Sequence, residues 1–460
     1  MGILRKIKKS RQLKNVLKIS GGTISGQIIS IVTLPLITRI YGAEIMGIWT
    51  TIVAVALIVQ SVSELGLTSS LMVEEDEEKL TKIYGVISTI SLVISILTIV
   101  VFFPYFYCIK KFSLFNSLVY SIFGIIYAFT VKQVNTCYTW LNREKKYNIL
   151  MKNPVINYSV MGIFSLILGL VGFRDYGYFC GVVLGQFITL LHMKRQLPKS
   201  FLHFDRKDYF WVVNKYVDFI KYQLPNNFMF QFREQLPNLL IGILFGDNIL
   251  GYYSVSLRIL NLPVNFIGQA IGKVFYQSVS AMKRSGQDIG SFVYRNINRA
   301  IYIAIVPILG LYTIGDIFAV IFFGNEYVIA GTILRIVVFK MFFSFISTST
   351  QGLEIVLQKQ QYSVMTTLFQ TLSSCASIAI GFYINKSIEV SLILMVFTFI
   401  LVQLIFYKKM YQVMKLKIAP QIALMIVIFL GVIIFGGIMR FGIEELIEIF
   451  EIRTLEWFKW

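Results

Sequence analysis

The sequence predicts an all-α membrane protein that crosses the bilayer many times. Of its 460 residues, 56% are hydrophobic and only 15% are charged, whereas soluble chains carry about 25% charged residues. The mean hydropathy is +0.70. Thirteen segments also approach the roughly 20 apolar residues that a spanning helix needs. A soluble fold could not remove this much apolar surface from water.

The thirteen predicted helices follow one another with short loops. They lie near residues 17–40, 45–70, 83–108, 113–137, 153–173, 176–193, 219–244, 249–273, 297–322, 331–355, 363–384, 387–407 and 419–440. The first is read as a retained span, because its apolar run is longer than that of a signal peptide and many spans follow it. The tail from Phe441 to Trp460 mixes Glu with Ile, Leu and Trp, which predicts an amphipathic segment at the membrane interface.

The basic residues predict the orientation. The formal net charge is +19, and the Lys and Arg residues cluster in Arg5–Lys18, Arg143–Lys152, Lys194–Lys221 and Lys408–Lys417. A cytoplasmic N-terminus puts all four clusters in the cytoplasm, in agreement with the positive-inside rule. Since no basic domain stands outside the membrane segments, we expect no nucleic-acid partner.

The cysteines and histidines indicate neither a metal site nor a disulfide framework. Cys108, Cys137, Cys180 and Cys375 are scattered in or beside apolar segments, and His192 and His203 stand alone. No pair of these residues has the spacing of metal ligands. The short loops leave no room for a catalytic domain outside the membrane. We therefore expect no metal, no cofactor, no catalytic residue and no enzymatic activity.

Two stretches of the chain form a weak internal repeat. "LPLITRIYGAEIMGIWTTI" begins at Leu34 and "LPNLLIGILFGDNILGYYSV" begins at Leu236. Each predicts a helix that leaves the cytoplasm, turns on Gly42 or Gly246, and continues into a second helix. Parallel repeats of this kind are common in transporters. Chance similarity between apolar helices is the alternative.

Several predicted spans carry a polar stripe. Successive helical residues advance by about 100°, so polar residues share one face in each of three segments. These are Gln223, Asn227, Gln231, Glu234 and Asn238, with Arg233 beside them; Ser254, Arg258, Asn261, Asn265, Gln269 and Lys273; and Lys340, Ser344, Ser347, Thr348, Gln351, Glu354 and Gln358. A charge at mid-membrane costs at least about 2.5–3.5 kcal/mol on insertion scales. Matching stripes therefore predict a shared polar interior.

The chemistry of these stripes is cationic and rich in amides. Such a surface suits an anion that carries many hydroxyl groups, such as a phosphate bearing sugars, because arginine binds phosphate oxygens bidentately. Glu64, Glu234 and Glu354 are left for ion coupling or salt bridges. For Arg233 the alternative is an ion pair that joins helices, although neighbouring helical residues point about 100° apart and a direct Arg233–Glu234 pair is expected to have poor geometry.

At these residues the chain resembles a known family. The segment "LPNLLIGILFGDNILGYYSVSLRILNLPVNFIGQAIGKVFYQSVS" (Leu236 to Ser280) closely resembles the start of the second half of Wzx-type polysaccharide flippases, members of the multidrug/oligosaccharidyl-lipid/polysaccharide exporter superfamily. "LPLITRIYGAEIMGIWTTI" and "ELGLTSSLM" resemble their first-half pattern. The likeness extends over essentially the whole chain in segment order. These motifs identify a family rather than a substrate.

The resemblance implies two pseudo-symmetric six-helix lobes around a central cavity, with an additional C-terminal helix. The implied layout is a basic cytoplasmic N-terminus (1–18), an N-lobe (19–200), a cytoplasmic linker (201–218), a C-lobe (219–407), and an additional span with its tail (408–460). Cationic cavity residues would hold an undecaprenyl diphosphate headgroup. Arg258 matches a recurrent arginine of the family, and helix position adds further candidates. The full candidate set is Arg258, Arg233, Lys340, Arg39, Lys132, Asn261, Asn265 and Gln269.

The expected function is therefore a flippase of the bacterial plasma membrane. It would move undecaprenyl-diphosphate-linked oligosaccharides by alternating access, as a monomer, for O-antigen of lipopolysaccharide, capsule or exopolysaccharide. A polysaccharide polymerase and a chain-length regulator would be its protein partners. A multidrug cation antiporter of the same superfamily is the nearest alternative, and a polysaccharide polymerase or membrane glycosyltransferase is another. For Arg39 and Lys132, snorkelling of the side chain to the headgroups is the alternative role.

Overall fold

The computed structural model describes residues 11–197 and 202–449, and every regular element in these ranges is helical. The predicted all-α fold is confirmed. The α-helices are α1 (Arg11–Val62), α2 (Glu77–Leu97), α3 (Ile99–Pro104), α4 (Leu114–Arg143), α5 (Tyr147–Leu170), α6 (Gly177–Lys194), α7 (Arg206–Lys215), α8 (Leu224–Leu244), α9 (Asp247–Pro263), α10 (Gln269–Arg284), α11 (Gly290–Phe323), α12 (Val328–Ser349), α13 (Leu353–Val356), α14 (Gln360–Asn385), α15 (Ile388–Val413) and α16 (Ala419–Ile449).

Within the described residues, nine helical stretches are long and apolar enough to cross a membrane. The first, Lys18–Val62, covers the first two predicted spans because it contains a turn. The three remaining predicted spans are also helical, as α6, α8 and the α9–α10 region, but their sequences are more polar. The chain is a multi-pass membrane protein.

The ends of some helices differ from the prediction. The second predicted span reaches residue 70, but α1 ends at Val62 because Leu65 and Gly66 adopt positive φ angles of 57° and 77°. Residues 441–449 of the predicted amphipathic tail continue α16 instead of forming a separate segment. The rest of that tail, 450–460, and residues 1–10 of the predicted N-terminus lie outside the described residues.

The two predicted glycine turns have the same backbone conformation. Gly42 has φ 71° and ψ 175°, and Gly246 has φ 89° and ψ 173°. This region of φ/ψ space is essentially restricted to glycine. A β-carbon at either position would meet no atom within 4 Å, so the backbone conformation alone requires glycine. The repeated sequence pattern therefore corresponds to a repeated turn.

The chain divides into two compact units between Leu239 and Leu240. In unit 1, α1 packs closely on α5, and a β-carbon at Gly22 would lie 2.0 Å from the Met151 carbonyl oxygen. Helix α7, in the predicted linker, packs on the same unit through Val212 and Tyr216, which lie in one hydrophobic cluster with Leu71. The predicted domain boundaries remain a prediction.

In unit 2, α11 packs on α12, and α14 on α15. Gly331 of α12 lies against the Asp316 backbone of α11, and Gly381 of α14 lies against Ser391 of α15. Both contacts are so close that a β-carbon could not be added without moving a backbone. Helix α9 is fixed to α12 by Ser256, whose Oγ donates to the Ala330 carbonyl oxygen at 2.9 Å.

Candidate functional site

A polar face runs along α9, the π-helical turn Val264–Gly268, and α10. The turn follows Pro263, which has no N–H to donate and so interrupts the regular hydrogen bonding of an α-helix. Asn261 and Gln269 are exposed and Asn265 is half-buried. Gln269 Nε2 donates to Asn265 Oδ1 at 3.2 Å. The amides keep one another oriented along this face.

The cations of unit 2 lie on α9 and α12. Arg258 is half-buried and lies one turn before Asn261. On α12, the half-buried Lys340 has its Nζ 5.3 Å from the centroid of the Phe399 ring. Because Ser256 joins α9 to α12, the helices that carry these two cations have a fixed relation.

Glu354 lies on the short helix α13, near the packing of α10 on α12. Gly272 of α10 lies against the Thr348 carbonyl oxygen, where a β-carbon would be 2.1 Å away. Gly352 has φ 81° and lies against the Tyr276 ring. Glu354 follows this turn and is half-buried. The prediction of one helical face from Lys340 to Glu354 is therefore wrong, because α12 ends at Ser349 and Glu354 lies on a separate helix after the Gly352 turn.

In unit 1, Glu64 and Lys132 form a buried ion pair. Glu64 Oε1 contacts Lys132 Nζ, and each side chain is only 6% exposed. Glu64 Oε2 accepts a hydrogen bond from the Thr68 backbone N–H at 2.9 Å. Snorkelling is therefore wrong for Lys132, because its ammonium group points to a carboxylate inside the unit. Of the two roles expected for Glu64, the salt bridge is the one present.

Shortly after Glu64, residues 66–69 contact the π-helical turn Phe219–Gln223, which precedes α8. A β-carbon at Gly66 would meet the Phe219 carbonyl oxygen at 2.9 Å. Ser69 Oγ donates to Gln223 Oε1 at 2.8 Å. Gln223 was expected on the polar arc of the predicted span, and its amide oxygen instead accepts from this neighbouring segment.

The structure corrects the expectation for Arg233 and Glu234. Arg233 Nη2 and Nε lie 2.7 and 2.9 Å from Glu234 Oε1, so the direct pair is well formed. The long arginine side chain bridges the angle between the two helix positions, and its guanidinium carbon lies 5.1 Å from the centroid of the Phe230 ring. Glu234 remains exposed. Arg39, on α1, is exposed as well.

Unit 2 also contains a buried charge cluster that was not predicted from the sequence. Arg440 Nη1 lies 2.7 Å from Asp316 Oδ1, and Arg335 Nη1 lies 3.9 Å from Asp316 Oδ2. Arg335 Nε also donates to the Tyr312 carbonyl oxygen at 3.1 Å. The available signal was an aspartate within an apolar span, since intramembrane charges are rare and usually pair with one another.

The cluster holds α16, the additional helix, against α11. At the other end of α16, Gln421 Nε2 donates to Asn298 Oδ1 at 2.7 Å and to the Tyr294 carbonyl oxygen at 3.0 Å. Between these points the rings of Phe429 and Phe339 lie 4.4 Å apart. Helix α16 is thus bound to the rest of unit 2 at both ends and in its middle.

A second missed network lies outside the spans of unit 1. The buried Glu74 carboxylate contacts Lys215 Nζ and accepts a hydrogen bond from the Tyr216 hydroxyl at 2.5 Å. The hydrogen bonds from Lys215 and then Tyr216 lower the pKa of Glu74 to about 2. The same contact raises the pKa of Lys215. This network ties α7 to the segment that precedes α2.

Within the described residues, no group of three or more His, Cys, Asp or Glu side chains is arranged to hold a metal ion. The polar groups that the structure does bring together are cations, amides and single carboxylates. Such groups are suited to binding an anion or a hydroxylated molecule rather than to coordinating a metal.

Comparisons with solved structures identify the fold. The lipid II flippase MurJ, in an inward closed conformation, is similar with a TM-score of 0.68 and 13% identity, over 93% of this chain and 98% of that chain. A eukaryotic MATE transporter, AtDTX14, gives a TM-score of 0.55 and 13% identity, over 90% and 99%. An inward-facing multidrug resistance MATE transporter of the MOP superfamily gives 0.53 and 15%, over 86% and 94%.

Sequence comparison identifies the family. By sequence, no curated protein matches the chain. The profile of the family described as "Polysaccharide biosynthesis protein" matches residues 36–330. This match covers more than half of the chain and includes both glycine turns as well as α9 and α10. The chain therefore belongs to the polysaccharide biosynthesis protein family, with the fold shared by MurJ and the MATE transporters.

Proposed function

We propose that this protein is a flippase that moves undecaprenyl-diphosphate-linked oligosaccharide repeat units across the bacterial plasma membrane. Its family is one of polysaccharide biosynthesis, and its fold is that of a protein described as a lipid II flippase. The transported repeat units would serve O-antigen, capsule or exopolysaccharide assembly. Transport would proceed by alternating access, without making or breaking a covalent bond.

One observation carries the substrate assignment: the polar face of Arg258, Asn261, Asn265 and Gln269. Arginine offers a planar fork of donors that fits a phosphate bidentately. Each amide provides both donors and acceptors for sugar hydroxyls. Asn261 and Gln269 are not covered by the rest of the chain. An anion with attached sugars matches this face better than the organic cations of a multidrug antiporter.

The remaining candidates divide by their surroundings. Lys340, Arg233 and Arg39 are half-buried or exposed, and we assign them to further contacts with the diphosphate or sugars. Lys132 is paired with Glu64, and we propose that this pair stabilises the fold of unit 1. Glu354 is assigned to ion coupling, and Glu234, which is paired with Arg233, is assigned to ion coupling or to holding that arginine.

The proposed orientation has the N-terminus in the cytoplasm, and it rests on the distribution of Lys and Arg. A cysteine at Asp247, next to the Gly246 turn, would then react with an impermeant thiol reagent in intact cells. A cysteine at Ser285 would react only after permeabilisation. Reversed labelling at the two positions would contradict the orientation.

The substrate assignment is tested by Arg258→Gln in a flippase-deficient strain. Losing a hydrogen bond to a charged group weakens binding by about 1.5–3 kcal/mol, or roughly 10- to 100-fold. We expect lipid-linked repeat units to accumulate and surface polysaccharide to fall accordingly. Arg284→Gln, at the exposed end of α10, is the matched control and is expected to behave as the wild type.

The same variants in proteoliposomes separate the two transporter classes. The wild type should move lipid-linked oligosaccharide between leaflets and should not export a cationic dye. Dye export that survives Arg258→Gln, without lipid translocation, would contradict the proposal. Full complementation by Arg258→Gln at native protein level would remove Arg258 from the binding site.

A further inference from the structure

Basic side chains from three helices of unit 1 gather at one end of the unit. Lys18 Nζ, on α1, donates to Asn148 Oδ1 at 3.2 Å. Lys152 lies one turn further along α5 from Asn148 and is exposed. The carbonyl oxygen of Gln196, the residue after Arg195, accepts a hydrogen bond from Lys146 Nζ at 3.4 Å, so the end of α6 lies beside the start of α5. Lys18, Lys152 and Arg195 thus lie at the same end of three neighbouring helices, and this set is here called the basic rim.

The charge of the basic rim is not balanced by nearby acids in the sequence. Segments 18–28, 143–152 and 191–197, which form this end of the three helices, contain a single acidic residue, Glu144. That carboxylate is engaged by Lys146, whose Nζ lies 2.6 Å from Glu144 Oε2. Lys18, Lys152 and Arg195 are all exposed, so their positive potential is directed outward.

Below the basic rim, the same helices present apolar side chains to the bilayer. On α6, Leu191 and Phe187 precede Arg195 by four and eight residues, which places all three on one face. Leu191 and Phe187 are each 45% exposed. On α5, Ile163 lies three turns from Lys152 and is 55% exposed. Lys152 and Arg195 therefore each lie at one end of a helix that exposes apolar side chains.

We propose that the basic rim binds the headgroup of an anionic phospholipid, with its acyl chains along the apolar stripes of α5 and α6. The rim is at headgroup level, because Lys18 is the last basic residue before the apolar run that starts at Ile19 and Arg195 directly follows α6. Clustered Lys and Arg at such positions attract anionic lipids. A soluble anion would make no use of the apolar stripes. This site is independent of the proposed transport substrate.

The test measures lipid retention by the full chain in native mass spectrometry. The protein is purified in detergent and mixed with phosphatidylglycerol or phosphatidylcholine of equal acyl length. We expect the wild type to retain phosphatidylglycerol preferentially. The triple variant Lys18→Gln, Lys152→Gln, Arg195→Gln should lose that retention by about tenfold or more, since three attractive charges are removed.

A matched control exists at the opposite ends of the helices of unit 1. Lys110→Gln, Lys111→Gln, Arg174→Gln removes the same total charge from that side and should retain phosphatidylglycerol as the wild type does. Equal retention by the wild type and the rim variant would overturn the proposal. An equal loss in the control would overturn it too, because it would show a response to net charge alone.

Two further measurements complete the test, a competition with phosphate and a double variant. Inorganic phosphate at millimolar concentration should leave the bound lipid in place, and displacement by phosphate would instead indicate a site for a free anion. If the triple variant does not purify as a monodisperse protein, Lys152→Gln, Arg195→Gln is judged by the same criterion. Because no oligosaccharide lipid is used, failure here leaves the proposed transport function untouched.

Discussion

Two acid–base pairs of unit 1 differ in how the chain surrounds them. Glu64 and Lys132 come from distant segments, and their side chains are each 6% exposed. Arg233 and Glu234 are neighbours on α8, and their side chains are 24% and 48% exposed. The first pair is enclosed by its own unit, whereas the second can still meet another molecule. A charged residue in an apolar segment can therefore stabilise its own unit or meet another molecule. The degree to which the chain buries the residue distinguishes these two roles.

The largest effect should come from breaking the enclosed pair. Lys132→Met alone leaves the Glu64 carboxylate buried without its cation, and losing one partner of a buried pair costs about 3–5 kcal/mol. We expect a lower thermal unfolding midpoint in detergent and less protein in the membrane. Lys132→Met with Glu64→Gln should recover most of this loss, because no unpaired charge remains. A double variant as unstable as the worse single variant would show that the pairing does not set the stability.

Glu74 provides an intermediate case with a pH dependence. Its pKa is about 2 in the folded chain, below the usual 4.5. A lowered pKa stabilises the fold above the unfolded value and loses that effect as the pH falls through the folded value. We therefore expect the wild type to be more stable than Glu74→Gln at pH 6, by about 1–2 kcal/mol. The difference should shrink between pH 4.5 and pH 2.

Unfolding midpoints of both proteins at pH 6, 4.5 and 3 measure this change. Asp288→Asn is a suitable comparison, because Asp288 also has a lowered pKa but accepts hydrogen bonds within its own turn, from Gly290 and Ser291. A stability difference between the wild type and Glu74→Gln that is the same at all three pH values would contradict the role given to the carboxylate.

The smallest effect on stability should come from the open pair. Replacing Arg233 by Met and Glu234 by Gln should change the unfolding free energy by no more than about 1 kcal/mol, the range of exposed pairs. Transport separates two interpretations of this pair. If Arg233 binds the diphosphate, the double variant is as inactive as Arg233→Met alone. Rescue by the double variant, at equal protein level, would make the pair structural.

The helices and glycine turns could be predicted because their signals are local. Runs of apolar residues and the positions of Gly42 and Gly246 need no knowledge of neighbouring segments. The partners of charged groups are different, since Glu64 and Lys132 meet only through the packing of α4 on residues 64–72. The error at Arg233 had another cause. The angle between adjacent helix positions suggests a poor pair, but the arginine side chain is long enough to bridge that angle.

The cluster of Asp316, Arg335 and Arg440 was not predicted from the sequence. Each residue is a single charge in an apolar run, and the apolar run decided the interpretation of each segment. An aspartate in one span with arginines in two others is a pattern that could have been recognised from pairing alone. Which arginine lies closest could not, because the 2.7 and 3.9 Å separations depend on how α16 packs.

The contact between Asp316 and Arg440 also bears on the order in which the helices of unit 2 assemble. A chain is synthesised from its N-terminus, so α11 and α12 enter the membrane before α16 exists. During that interval Asp316 lacks Arg440, which in the folded chain lies at 2.7 Å and is closer than Arg335 at 3.9 Å. The arrival of α16 supplies the missing cation to a carboxylate that is costly to leave underpaired in lipid. Among the described helices, α16, which lies beyond the twelve of the predicted lobes, thus joins unit 2 last and brings Asp316 its closer cation.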